Sequence, residues 1–451
     1  MRCRGSHGLA HEILTALGNV AVVGQAIQTM IRIPTLAASL LLLTAACSPV
    51  SAAPAQPHVD ASTLTGKVMA GYQGWFRTPS DGTKRGWVHW STEQTRIAPE
   101  TISFDLWPDT SEYGKEELAP ADGFTFANGS RAYLYSAANP KTVLRHFQWM
   151  RDYGIDGAWL ERFVVDLPGN PHPDPSLDTV MKNVMNAAGE TGRVWTISYD
   201  IAGTPGDKIY ATITRDWQRL VDSGVAGSPR YLHNHGRPVV AIWGFYYNSD
   251  TNKMTPEIAG RLIDYFKAPG KYGAFMVGGG SWDWRRASDP GWQAVYKRFD
   301  AYIPWNTGNF TQTPDGNYHA VTDYWYDDRV AALTNGVMWI PEIYPGFSWS
   351  NIAKVRHWTD LQVTYSRNGG NFYWEQWAKL TKLAAQTVYI GMFDEVDEGT
   401  AIYKVTSNPP TQAHFVTYDG YPSDWYLRLT REGVRMMRAE RPLSDAIPIS
   451  R

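Results

Sequence analysis

Four carboxylates crowd into five positions at Asp394, Glu395, Asp397 and Glu398, late in a chain of 451 residues. In an ordinary turn they would repel one another, so either water screens them as a solvated acidic turn or a site requires them. Two positioned carboxylates are what cleavage of a glycosidic bond requires. The cluster follows directly on residues 387–393, where Val388, Ile390 and Met392 alternate with Tyr389, Gly391 and Phe393 as in a strand buried on both faces. The carboxyl ends of such strands are where α/β proteins gather ligands and catalytic groups, which favours the site.

Other chemistries find less support. His233-Asn-His235 comes just before a predicted strand, at the far end from such a site, and no HExxH, cysteine cluster or EF-hand pattern accompanies it, so neither metal nor cofactor is expected. No G-x-S-x-G elbow follows a strand, and Gly278-Gly-Gly-Ser281 reads as a flexible turn. No glycine-rich phosphate loop opens a helix.

The elements that must carry the carboxylates alternate. Strands are predicted at residues 67–72, 157–163, 193–199, 238–245, 273–277, 301–305, 336–343 and 387–393, with helical stretches between them. Three helices open on a polar cap followed by proline, at Asn139-Pro140, Thr255-Pro256 and Asp289-Pro290. Eight such repeats predict an α/β fold, a single (β/α)8 TIM barrel with a long first βα loop at about residues 73–139. The aromatic residues of that loop argue against disorder and make it a candidate cleft wall. The domain plan is a leader at 1–52, a linker at 53–64, the barrel at 65–440 and a fraying tail at 441–451.

Side chains at the carboxyl ends of barrel strands converge on one cleft. Besides Glu395 and Glu398, the predicted catalytic pair, this places Tyr72, Trp75, Trp87, His89, Trp90, Glu161, Tyr199, Asp200, Trp243, Tyr246, Trp282, Trp305, Glu342, Tyr344 and Asp394 at the substrate. Glu161 stands beside Arg162, so an ion pair between them is the competing reading. Because residues three apart in a strand face opposite ways, Glu395 and Glu398 share a cleft only if the chain bends between them, and Gly399 eases that bend.

The first fifty residues read as a secretory leader: an apolar run at 36–46 follows Arg32 and precedes the small residues Val50-Ser-Ala52, with Met30 the expected start. The run is too short to span a membrane. Thr44 stands where a lipoprotein box wants an apolar residue, so a lipid anchor on Cys47 is the lesser reading. Both cysteines, Cys3 and Cys47, lie in this leader, so a periplasmic or secreted barrel without disulfides is expected. Removing residues 1–52 leaves 39 basic against 43 acidic residues, a net charge of −4, with no basic stripe for nucleic acid or anionic membrane. Aromatic residues make up 13% of the chain, with 20 Trp and 25 Tyr, more than one core should need. Sugar clefts use such rings, because the apolar face of a pyranose stacks on them. A monomer acting on a polysaccharide or glycan is the expectation.

Three short stretches carry a resemblance. Glu395-Val-Asp-Glu398-Gly-Thr400 resembles the E-x-x-E-G-T segment of the glycoside hydrolase family 99 endo-α-mannosidases and their family 71 α-1,3-glucanase relatives. Gly71-Tyr-Gln-Gly-Trp75-Phe76 with Gly86-Trp-Val-His89-Trp90, and Gly154-Ile-Asp-Gly157, are similar to the first and second strand regions of that group. The chain departs from that group in reading Asp394-Glu-Val-Asp-Glu398 where the mannosidases carry an aromatic residue between the acids. The resemblance implies an endo-acting retaining hydrolase, with Glu395 as base to the sugar's own 2-hydroxyl, Glu398 as acid and a 1,2-anhydro sugar between them. An inverting α-glucanase-like hydrolase and a barrel that only binds carbohydrate remain alternatives. A lyase on uronic-acid polymers would need a cation, for which Arg162 and Arg285 are the candidates.

Overall fold

The computed structural model describes residues 58–249, 253–358 and 364–450; the leader with Met30 and Cys47, residues 53–57 and Arg451 lie outside them. Eight parallel strands form the barrel: Val68–Tyr72, Gly157–Phe163, Val194–Asp200, Arg237–Phe245, Phe275–Ser281, Ala301–Trp305, a seventh split into Met338–Trp339 and Glu342–Ile343, and Val388–Ile390. Each pairs with its neighbour in chain order, and the first also pairs with the eighth. Pro341 splits the seventh strand because it has no N–H to give the ladder. Met338 and Trp339 pair with the sixth strand, Glu342 and Ile343 with the eighth, and this divided strand closes the barrel.

Alternation sorts the side chains. Met69, Trp159, Val239, Ala241, Val277, Ile303 and Tyr389 fill the barrel interior, while Val68, Ala70, Leu160, Ile197 and Val240 pack outward against the helices. All three predicted caps hold. Asn139 accepts from the Lys141 N–H at 3.0 Å, Thr255 from Ile258 at 3.3 Å and Asp289 from Gly291 at 2.6 Å.

Four expectations change. Gly278 to Ser281 is no flexible turn but the end of the fifth strand, where a Cβ on Gly280 would come within 2.2 Å of the Phe245 carbonyl. The long first loop contains an antiparallel hairpin, Leu118–Thr125 with Arg131–Tyr135. Residues 58–64 do not behave as a linker: Val59 N–H donates to Gly192 O at 2.9 Å and Leu64 is fully buried under the barrel. The tail does not fray either, since Trp374 Nε1 donates to Ser444 O at 3.2 Å and Ile447 packs on the core.

Candidate active site

The eighth strand ends at Ile390, earlier than the apolar run suggests, and the chain rises over the rim. The turn that follows closes on one carbonyl: Glu395 O accepts from Thr400 N–H at 3.0 Å and Ala401 N–H at 2.9 Å. Gly399 sits at φ +63°, and a Cβ there would lie 2.6 Å from Ser348 N, so glycine is needed both for conformation and for space. Buried Arg367 pins the turn from below, donating through Nη2 to Gly399 O at 2.5 Å and Ala401 O at 3.1 Å. Its guanidinium lies over the edge-to-face pair of Tyr418 and Tyr426 rings, at 5.1 and 4.5 Å from their centres.

This turn brings Glu395 and Glu398 into one well of about 220 Å³, which they share with Gln73, Trp75, Glu161, Phe163, Asp200, Trp243, Trp305 and Met392. Of the predicted contacts, Trp75, Glu161, Asp200, Trp243 and Trp305 therefore gather as expected. Tyr246 stands behind them, its ring edge-on to Trp243 at 5.2 Å. Glu161 does not pair with Arg162, because adjacent strand residues face opposite ways. Its Oε1 accepts from Tyr389 OH at 3.0 Å inside the barrel and its buried Oε2 has no protein partner. Arg162 points to the helix layer, bound to Asp216 at 2.7 Å and Asp178 at 2.8 Å, and Arg285 pairs with Asp328 at 2.6 Å. Neither arginine that a uronate would need is among the residues lining the well.

Other predicted contacts turn out to be supports. Both Asp394 oxygens are taken, by Gln73 N–H at 2.8 Å and Gly74 N–H at 2.9 Å, so this buried carboxylate ties the eighth strand to the first loop. Glu342 is fully buried and accepts from Asn306 N–H, Thr307 N–H at 3.0 Å and Thr307 Oγ1 at 2.5 Å, bracing the loop behind Trp305. Tyr72 OH bonds His146 Nδ1 at 2.9 Å and Tyr199 OH donates to Asp216 at 2.9 Å, both in the helix layer. Tyr344 OH donates to Asn309 O at 2.9 Å. Trp87 and Trp90 are buried in the core of the first loop, where Trp90 Nε1 donates to Tyr135 O at 3.0 Å. Trp282 packs on Tyr324, 4.9 Å between ring centres, outside the residues lining the well.

A second well of about 400 Å³ adjoins the first, and both are lined by Trp75 and Glu398. The first loop does form its wall, through Trp75, His89, Thr92, Gln94 and Ser103, and Trp349, Ile352, Arg356 and Trp358 face them. His89 lies flat on Trp75, 3.7 Å between ring centres, and its Nδ1 is 2.9 Å from Asp397 Oδ2. Arg367, Trp349 and Trp358 were not among the predicted site residues, because nothing local marks an arginine or tryptophan whose partners lie elsewhere in the chain.

Charge is concentrated in this site. Burial pushes the Glu398 carboxyl up to about 8, helped by the charges of Asp397, Asp200 and Glu342. Burial and then the neighbouring Glu398 hold Glu395 well above the ordinary carboxyl range. Burial also raises Glu161 strongly and brings Asp200 to about 7. Near neutral pH the turn thus presents a protonated carboxyl beside a second one. Among the described residues there is no group of three His, Cys, Asp or Glu that can hold a metal ion, and no helix long and apolar enough to cross a membrane.

No protein-family model and no curated protein matches the sequence. Solved structures do. The family 99 endo-α-mannosidase from Bacteroides thetaiotaomicron aligns over 84% of this chain and 99% of its own, with TM-score 0.60 and 17% identity. The chain shares the fold of that mannosidase. A second structure of this enzyme, in complex with Bis-Tris propane, aligns over 85% of this chain and 100% of its own, with TM-score 0.58 and 18% identity. The expected (β/α)8 barrel is therefore the fold of the protein, with the long first loop over its carboxyl rim.

Proposed function

We propose that the protein is an exported glycoside hydrolase, similar to families 99 and 71, that cleaves an α-linked polysaccharide or glycan within the chain. The observation that carries this reading is the single turn that delivers Glu395 and Glu398 into one well walled by Trp75, Trp243 and Trp305. The tryptophans offer flat apolar faces to a sugar ring. Glu398, protonated at neutral pH, gives its proton to the leaving oxygen as the bond to the anomeric carbon breaks. In the form where the pair holds one proton, on Glu398, the ionised Glu395 takes the proton of the sugar's 2-hydroxyl, and that oxygen attacks the anomeric carbon to form a 1,2-anhydro sugar. Water then opens it, with Glu398 as base to the water and Glu395 returning its proton to O2, so configuration is retained. Likeness to the mannosidase fold supports this route, which requires the 2-hydroxyl trans to the leaving group, as in an α-mannoside. An α-glucoside would require direct attack by water and inversion.

The test is a screen of the purified protein against α-mannans, α-glucans and arabinose- or xylose-containing glycans, with the anomer of the first product read by NMR. Glu395→Gln and Glu398→Gln should each lower turnover at least ~10²-fold, the low end for general acid or base catalysis, while glycan binding survives. Near-normal turnover in either folded variant removes the assignment. Binding without any cleavage by the wild type would make the protein a carbohydrate-binding barrel. The leader read from the sequence supports export, and mature protein recovered from outside the cytoplasm should begin near Ala53.

A further inference from the structure

The two wells meet at Glu398, but only the smaller contains Glu395. Resting on the hydrolase reading, we infer that the larger well is the leaving-group site, and that Trp349 and Trp358 form a platform there for a glycan of two or more sugars. The chemistry assigns the sides. The base must reach a hydroxyl on the ring being cleaved, so that ring occupies the well that holds both carboxylates. The acid must reach the exocyclic oxygen, so the sugars beyond that oxygen occupy the well that the acid alone enters. The substrate chain thus runs with its non-reducing end toward Trp243 and Trp305 and its reducing end toward Trp358.

Size and lining agree. The leaving-group well measures about 400 Å³ against about 220 Å³ for its neighbour, so where the smaller takes one ring the larger takes more. Trp349 and Trp358 stand 5.3 Å apart with planes at 54°, two differently tilted faces for successive rings. Arg356 also lines this well, its guanidinium over Trp358 at 5.3 Å, and supplies N–H donors for sugar hydroxyls there. Both tryptophans flank the short helix Ser350–Val355, held in place by buried Asp105 of the first loop, which accepts from Ser350 N–H at 2.6 Å and Asn351 N–H at 2.9 Å.

The experiment compares α-mannan and α-glucan oligosaccharides with the fluorides of the corresponding α-linked disaccharides. A fluoride leaves as a single ion and does not occupy the larger well. Trp349→Ala, Trp358→Ala and the double variant should lose kcat/KM on the oligosaccharides about tenfold more per ring than on the fluorides, as stacking of a flat ring on an aromatic side chain predicts. Equal losses on both substrates, or no loss on oligosaccharides, would overturn the inference while leaving the hydrolase reading intact. A folded wild type that cleaves neither series would remove both. Should the double variant fail to fold, the single Trp358→Ala change gives the same comparison.

Discussion

Replacing Glu398 by glutamine should make the protein more stable at alkaline pH even as it removes turnover. Glu398 sits below the rim with a partial opening to the cleft, and its carboxyl is pushed from 4.5 to about 8. The native state thus holds this proton more tightly than the unfolded chain does, so stability falls as pH rises through the window from about 4.5 to about 8. At 1.36 kcal/mol per unit, the full shift corresponds to an upper limit of about 5 kcal/mol, and water in the cleft reduces it to ~2–5 kcal/mol. Glutamine keeps the shape, carries no charge and also removes the charge that lifts Glu395. Unfolding entropy of about 2.1 cal/mol/K per residue over roughly 400 residues converts this to a gain of ~2–6 °C in Tm at pH 8.5. At pH 5 the variant and the wild type should differ by less than ~1 kcal/mol. Thermal and urea unfolding at the two pH values measure it. A variant whose advantage over the wild type is the same at pH 5 and pH 8.5 would refute the reasoning, because only ionisation distinguishes the two conditions.

Trp75→Ala should weaken glycan binding by about 1–3 kcal/mol, the range for stacking on an aromatic face, in a calorimetric titration with any glycan the wild type binds; unchanged affinity would return Trp75 to a purely structural role. Gly399→Ala should destabilise by more than ~1 kcal/mol and reduce turnover, since φ +63° and Ser348 N both exclude a Cβ, and chemical denaturation reports the first effect. Stability of the mature protein should not respond to reductant, because the chain's two cysteines are Cys3 and Cys47; a reductant-dependent Tm would contradict leader removal.

Much of the barrel was legible because its strands are apolar runs between capped helices, signals that act over short distances. The candidate catalytic turn was legible for the same reason, with four acids and a glycine adjacent in the chain. The errors share a different cause. A tryptophan looks the same in a sequence whether it faces a cleft, as Trp75 does, or fills the core of a loop, as Trp90 does. Leu118–Thr125 contains Pro120 and Gly123, which hid a hairpin whose register shifts beyond Pro120. Gly278 to Gly280 looked like a turn because glycine's usual role is conformational, whereas here close approach of Phe299 and Phe245 demands its small size. Asp394 and Glu342 were read as substrate contacts from their position at strand ends, and only their hydrogen-bond partners reveal them as struts.

The split seventh strand is where the barrel should open first. The second and third strands are held by seven registered pairs, whereas each half of the seventh contributes only two to its neighbour. Local opening follows the thinnest ladder, so in native-state hydrogen exchange the amides of Ile340 and Tyr389, which bridge this seam, should exchange well before those of Thr196 and Ser198. The seam also runs beside Gly391 and Glu342, directly beneath the turn that carries the two glutamates. Opening there would reach the rim that carries Glu395 and Glu398, while the more extensively paired side of the barrel, between the second and fourth strands, should stay closed.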